Sequence, residues 1–373
     1  MQNRQSQAII TIIDSINETT MPYNEFILYR CKHYPHEKQI VLLTGYDILI
    51  PKERIPKSIE IHIVGKNPLK LRKELKRIIT ALENNEIHWL IHLHSIRGAF
   101  SMLIGMIGLG YRRHTIYSIH STYTGYRFYN KILCAYDVLA SNFTTCVSKV
   151  SYSKLPSWIK SIKGKNIMPL QNGVNTERID DAETLKEHPI LPPIIKFVYV
   201  ARMVALKNHR FLIDVLSQVP NKDNIKFVFI GAEDKNGKIR EYAKEKGVID
   251  NIEFSGLIQR EKVYSLLPTY DVYISSSTLE GLPVSVLEGM YCGLPAVLSD
   301  IPQHKEVSNG CESVRILPYD THLWAETITE LSNTDQTKLR AMGEACKMHI
   351  RKHFSLSHMH QQYDELYAQI RKA

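Results

Sequence analysis

Ser275-Ser-Ser-Thr-Leu-Glu-Gly-Leu-Pro-Val-Ser-Val-Leu-Glu-Gly-Met290 starts at the end of a short apolar strand, Val272 to Ser275, and runs into a helical pattern, Val284 to Tyr291. Between them Glu280 and Gly281 make a turn, and Pro283 suits a helix's first turn, where its missing NH costs nothing. A strand, a glycine-bearing turn and a helix in that order form the repeating step of a parallel sheet with right-handed crossovers. Orphan NH groups and the macrodipole make the helix start, from Gly281 and Leu282 to Pro283 and Val284, a natural diphosphate site. Glu280 in the loop and Glu288, about two turns further by the ~3.6-residue helical period, bracket that site. Each can accept hydrogen bonds from vicinal hydroxyls, one pair on a sugar and one on a ribose. The plain alternatives are a solvated loop charge for Glu280 and an exposed helix position for Glu288.

Upstream, Phe197-Val-Tyr-Val-Ala-Arg-Met-Val-Ala-Leu-Lys-Asn-His209 is a strand that delivers Arg202 and Lys207 to the turn before the next helix. Two cations there can neutralise the charge developing on a departing nucleotide diphosphate. They can stand in for a metal, and no Asp-x-Asp-like pair occurs elsewhere to hold one; otherwise they are surface cations. Strands are expected at Lys196 to Val200, Lys226 to Ile230, Asn251 to Ser255, Val272 to Ser275 and Ala296 to Ser299, with helices at Asn208 to Val219 and Val284 to Tyr291. The first half alternates in the same way: Ala8 to Ile13, Gln39 to Leu43, Glu60 to Val64, His88 to His92, Thr115 to Ile119 and Phe143 to Val147 read as strands. Leu71, Leu75, Ile78, Ile79 and Leu82 recur at helical spacing between two of them.

A chain of 373 residues exceeds what one core usually supports, and the polar, proline-bearing stretch Arg178 to Pro193 is the best linker candidate. The expected architecture is α/β, with two doubly wound Rossmann-like domains, residues 1–190 and 191–356, facing a cleft. A last helix, His358 to Ile370, is expected within a tail (357–373) that could rejoin the first domain. Residues 1–190 hold 25 Lys and Arg against 16 Asp and Glu, so they carry the whole formal excess of +9. Such a surface suits an anionic partner such as a lipid headgroup; a solubilising surface is the alternative. Six cysteines without CxxC spacing read as reduced core residues. No apolar run approaches the ~20 residues of a spanning helix, and Met1 to Ile13 reads as a first strand rather than a signal peptide. A cytoplasmic protein is therefore expected, with no nucleic-acid motif and no GxGxxG after an early strand.

Taken in order, Ala201-Arg202-Met203 with Lys207, Phe229-Ile-Gly231, Phe254-Ser-Gly256, Tyr270-Asp271-Val272, Glu280-x7-Glu288 and Cys292-Gly-Leu-Pro295 with Ser299-Asp300 resemble glycosyltransferase family 4. The resemblance is strong over residues 196–310 and weak before them. It implies a GT-B fold, transfer with retention of anomeric configuration and without metal or cofactor, and a nucleotide-sugar donor, most often a uridine nucleotide. By that resemblance Arg202 and Lys207 contact the diphosphate, Glu280 the transferred sugar and Glu288 the ribose. Backbone from Gly281 to Val284 would meet the phosphates, Gly231 would lie in the donor site, and Leu257 and Ile258 would meet the base. His120, in Tyr117-Ser-Ile-His120, resembles the strand-end histidine beside the reacting sugar; a satisfied structural histidine is the alternative. Pro169-Leu-Gln-Asn-Gly-Val-Asn175 resembles the family's Pro-Asn-Gly-Val-Asp turn with Asn175 in place of Asp. The loop Asp14 to Pro22 departs from the family in having no glycine.

The resemblance further implies a hexose or N-acetylhexosamine moved to a glycan or polyprenyl-diphosphate-linked acceptor in surface-polysaccharide assembly. Basic and aromatic residues at Lys154, Trp158, Lys160, Lys163 and Lys165, and at Arg112, Arg113, Tyr123, Tyr126 and Arg127, suit the inner face of an anionic membrane; a solvated helix face is the alternative. A GT-B-like nucleotide-sugar epimerase and a non-catalytic partner subunit remain the competing classes, and the retained Arg202, Lys207 and Glu280 favour transfer.

Overall fold

The computed structural model describes residues 7–16, 22–45, 48, 55–183 and 194–372. Residues 1–6, 17–21 of the glycine-free loop and 184–193 of the expected linker lie outside the described residues. The chain divides into two compact units. One comprises Met1–Asn172 with Met359–Ala373, the other Gly173–His358.

In the first unit the strands are β1 (Gln7–Ile13), β2 (Glu37–Leu43), β3 (Ile59–Ile63), β4 (His88–Leu93), β5 (Thr115–Ile119), β6 (Phe143–Cys146) and β7 (Ile167–Pro169). They form one parallel sheet in the order β3-β2-β1-β4-β5-β6-β7. Parallel strands covered on both faces need a near-continuous apolar run, and Ala8 to Ile13 supplies one interrupted only by Thr11; Ile9, Ile10, Ile12 and Ile13 have no exposure. The helix Pro68–Asn84 starts where the Asn67 side chain accepts from the Leu69 and Lys70 NH groups at 2.9 and 3.1 Å, satisfying two orphan donors. It buries Leu71, Leu75, Ile78, Ile79 and Leu82. The last helix, Leu356–Lys372, returns to this unit. Tyr363 and Tyr367 reach Ser118 and His92 at 3.0 and 2.9 Å, and Asp364 accepts from Arg30 at 2.9 Å. Arg30 is 1% exposed, a burial tolerable only because Glu37 and Asp364 pair with it.

The second unit repeats the plan with β8 (Ile195–Val200), β9 (Ile225–Ile230), β10 (Ile252–Gly256), β11 (Val272–Ser275), β12 (Ala296–Ser299) and β13 (Val314–Leu317). Their parallel order is β10-β9-β8-β11-β12-β13. One face packs Phe197, Tyr199, Phe227 and Phe229 with Trp324. The other packs Val198, Val228, Ile230 and Tyr273 with Leu287 and Met290 of the helix Val284–Tyr291. Each large side chain so buried contributes about 1.5–3 kcal/mol. β7 and β13 were not expected from the sequence. Arg178 belongs to a helix, Thr176–Glu183, rather than to a linker, and Asn175 caps it, its side chain accepting from the Arg178 NH at 3.1 Å. Just before it, Val174 pairs with the 354–356 backbone, donating to Phe354 O at 2.7 Å and accepting from Leu356 NH at 2.9 Å. A Cβ on Gly173 would lie 2.4 Å from Ser355 O, so only glycine lets these two segments lie this close.

Candidate functional site

In an open parallel sheet, ligands bind where the strand order reverses, beyond the carboxyl ends of the strands. In the second unit that point lies between β8 and β11, which are adjacent though well separated in sequence. β8 leads into Ala201 and Arg202, then a short turn at Ala205–Lys207. β11 leads into Ser276, Ser277 and the loop carrying Glu280.

Hydrogen bonds stitch these two loops together. The Ser276 hydroxyl donates to Lys207 O and Asn208 O at 3.1 and 3.0 Å, and the Tyr199 hydroxyl donates to Lys207 O at 3.0 Å. Thr278 NH donates to Leu206 O at 2.8 Å. From the far side Gln303 donates to Glu280 O at 2.7 Å, while the Ser299 and Tyr319 hydroxyls both donate to Ser277 O at 2.6 Å. Held this way, Lys207 Nζ meets Glu280 Oε1 in a charge-assisted contact. The side chains are 22% and 12% exposed, so Glu280 is not a solvated loop charge. Arg202 is exposed at the strand end.

Glu288 lies one turn into the helix Val284–Tyr291, and its residue is 7% exposed. The plain alternative of an exposed helix position therefore does not hold. Its Oε1 accepts from Arg260 Nε at 3.1 Å and from Arg260 Nη2, and from the Tyr264 hydroxyl at 2.7 Å. Arg260 and Tyr264 stand four apart on the helix Arg260–Leu266, one side of which therefore addresses the carboxylate. That spacing was visible in the sequence; that this helix lies against Glu288 was not. Pro283 precedes this helix as its N-cap, and no side chain caps the start. β10 ends at Gly256, in the left-handed region at φ +67°. Leu257 beyond it is 71% exposed, and Ile258 packs partly against the core.

Gly231 has a conformational role of its own. Its φ is +152°, and a Cβ there would lie 2.2 Å from Ala201 O, directly behind Arg202. Gly231→Ala is therefore expected to displace the strand end and destabilise this unit by about 2–4 kcal/mol, lowering its thermal midpoint by at least about 5 °C. An unchanged midpoint in calorimetry would contradict that account.

Two buried histidines support the loops. His304 Nδ1 lies 2.9 Å from Ser299 O, so it carries the proton and donates; burial lowers its pKa to about 4. His209 stacks on Tyr199 at 4.7 Å, and burial lowers its pKa to about 3. Unfolded histidine titrates near 6.5, so below about pH 6.5 the unfolded chain binds more protons and stability falls with pH. By pH 5 each should cost about 2 kcal/mol. The thermal midpoint should drop between pH 7 and 5, and His304→Gln should flatten part of that drop.

In the first unit the order reverses between β1 and β4. Asp14 follows β1 and accepts from the Thr44 hydroxyl at 2.5 Å; the rest of its loop to residue 21 is largely outside the described residues. His94 follows β4, and His120 follows the neighbouring β5. His94 Nδ1 and His120 Nε2 are 2.9 Å apart, and burial lowers the His120 pKa to about 4. His120 is thus a neutral imidazole at pH 7, tied to a second histidine, His94, that the sequence reading did not single out.

A family model for glycosyl transferases group 1 matches residues 180–348. The putative glycosyltransferase EpsF of Bacillus subtilis is 23% identical over 336 residues, covering 86% of this chain and 82% of that one. The N,N'-diacetylbacillosaminyl-diphospho-undecaprenol alpha-1,3-N-acetylgalactosaminyltransferase of Campylobacter jejuni is 29% identical over 150 residues, covering 39% and 36%. Among solved structures, Anabaena Alr3699/HepE in complex with UDP and glucose superposes with a TM-score of 0.77 at 16% identity, covering 97% of this chain and 100% of that one.

Proposed function

We propose that this chain, whose GT-B fold and relatives support a glycosyltransferase, binds a UDP-sugar in its second unit and transfers the sugar with retention of configuration. The observation that carries this reading is the meeting of Lys207 with Glu280 at the strand-order reversal, in the loop that leads to the uncapped start of the helix that holds Glu288. Arg202 and Lys207 would neutralise the leaving diphosphate, a role a metal fills in other chemistries. Backbone from Gly281 to Val284 would receive the phosphates. Glu280 would hold the hydroxyls of the sugar, and Glu288, oriented by Arg260 and Tyr264, those of the ribose. Leu257 and Ile258 would flank the base. His120, neutral at pH 7, can donate or accept a hydrogen bond at the reacting sugar without adding charge beside the diphosphate. Gly231 contributes by letting the Arg202 strand end sit where it does.

A sugar of the hexose or N-acetylhexosamine class and a lipid-diphosphate-linked glycan acceptor fit the activity that the Campylobacter relative's name gives it, and surface-polysaccharide assembly is the setting proposed. Incubating the protein with UDP-hexoses and UDP-N-acetylhexosamines, each with an undecaprenyl-diphosphate-linked glycan, should release UDP from one pair. It should do so equally with EDTA present and yield an α-linked product from an α-linked donor. A β-linked product would overturn retention. Interconversion of UDP-sugars without acceptor would favour the epimerase reading. Tyr264→Phe should raise the donor KM about three- to tenfold with kcat little changed, because it removes one hydrogen bond of about 0.5–1.5 kcal/mol from Glu288.

A further inference from the structure

Between Ile87 and Thr176 the sequence holds ten lysines and arginines and one acid, Asp137. Asp137 is fully buried, and burial pushes its carboxyl up to about 9. The stretch therefore shows solvent many cations and no carboxylate.

The same stretch exposes large apolar side chains on two adjoining helices. Phe128–Ala140 turns Leu133, Cys134, Asp137 and Val138 inward and leaves Phe128, Tyr129 and Ile132 at 79%, 59% and 53% exposed. Ser157–Lys163 buries Ile159 and leaves Trp158 and Ile162 at 50% and 65% exposed. The helices pack on each other, and Lys163 fastens them, donating to Ser141 O and Asn142 O at 2.7 and 2.8 Å just past the end of the first. Single exposed apolar residues are ordinary, but five on one pair of joined helices, with Arg127, Lys131 and Lys160 beside them, are a surface.

We propose that this two-helix face docks on an anionic bilayer, its apolar side chains entering the headgroup region and its cations meeting lipid phosphate. A second copy is the poorer occupant, because a two-fold contact would set the same cations against one another. A bilayer offers the opposite charge together with an apolar layer beneath it. The inference deepens the acceptor part of the reading above, since a lipid-linked acceptor lies in such a membrane.

The test is sedimentation of the full chain with vesicles of phosphatidylcholine alone or with one-third phosphatidylglycerol. Binding should be at least tenfold stronger to the anionic vesicles at 0.1 M NaCl and fall at least tenfold at 0.5 M. The doubles Phe128→Ser/Trp158→Ser and Arg127→Glu/Lys131→Glu should each lose at least tenfold, with unchanged thermal midpoints and UDP binding. Equal binding to both vesicle types, or wild-type binding by both doubles, would overturn the proposal. So would a concentration-dependent dimer that the Phe128→Ser/Trp158→Ser chain no longer forms, without vesicle binding. Because UDP binding is read separately, its loss with vesicle binding intact would sink the donor reading and leave this one standing, and the converse holds.

Discussion

Glu280→Ala is expected to lower kcat by roughly 100- to 1,000-fold, the scale for losing one preorganised polar contact at a reacting centre, while UDP affinity changes by less than about threefold. The split follows from position. Glu280 is proposed to face the sugar, which UDP lacks, whereas the diphosphate would be met by Arg202, Lys207 and the helix start. With Glu280 removed, Lys207 loses its partner but keeps its charge for the phosphates. Its backbone stays fixed, since Tyr199 and Ser276 hold Lys207 O. Steady-state kinetics with a titration of UDP separate the two terms. Unchanged turnover would remove Glu280 from the chemistry, and an equal loss of UDP affinity would make it a diphosphate-loop strut instead.

Lys207→Ala is expected to do the opposite first: UDP binding should weaken by about 10- to 100-fold, as befits a charge-assisted bond of about 1.5–3 kcal/mol. The same substitution leaves the Glu280 carboxylate, 12% exposed, without its cation, so the unit should also lose about 1–3 kcal/mol of stability. The double variant Lys207→Ala/Glu280→Ala should recover part of that stability, because no unpaired carboxylate remains. Differential scanning calorimetry reads the stability terms. If the double variant were as unstable as the sum of the singles, the pair would not be coupled as its contact implies.

The strands and helices most legible in the sequence were those whose limits chemistry marks. Val272–Ser275, Ala296–Ser299 and Val284–Tyr291 lie between turn residues, and the apolar runs of the two strands, Val272 to Ile274 and Ala296 to Leu298, are unbroken because both faces of the sheet are covered. β7 has three residues, one of them Pro169, and β13 interrupts its pattern with Arg315. Both are edge strands, where one-sided pairing demands little of the sequence. The candidate site was legible as residue types at strand ends, but not as pairs. Lys207 meets Glu280 because β8 and β11 are neighbours across three intervening crossovers, and strand order leaves no local trace. Arg260 and Tyr264 escaped notice because the helix that carries them is unremarkable until Glu288 is known to be buried. Cys311 and Cys346 look unrelated in sequence, yet their sulfurs lie 3.7 Å apart, brought together by packing of the helix Gln336–His353.

If the second unit holds a uridine diphosphate through Lys207, calorimetric titration of UDP into wild-type protein and Lys207→Ala, with GDP, ADP and NAD titrated alongside, will show it. UDP should bind the wild type saturably and the variant at least tenfold more weakly, with weaker or no binding of the others. NAD binding without UDP binding, or equal UDP affinity in the two proteins, would contradict a UDP site held by Lys207.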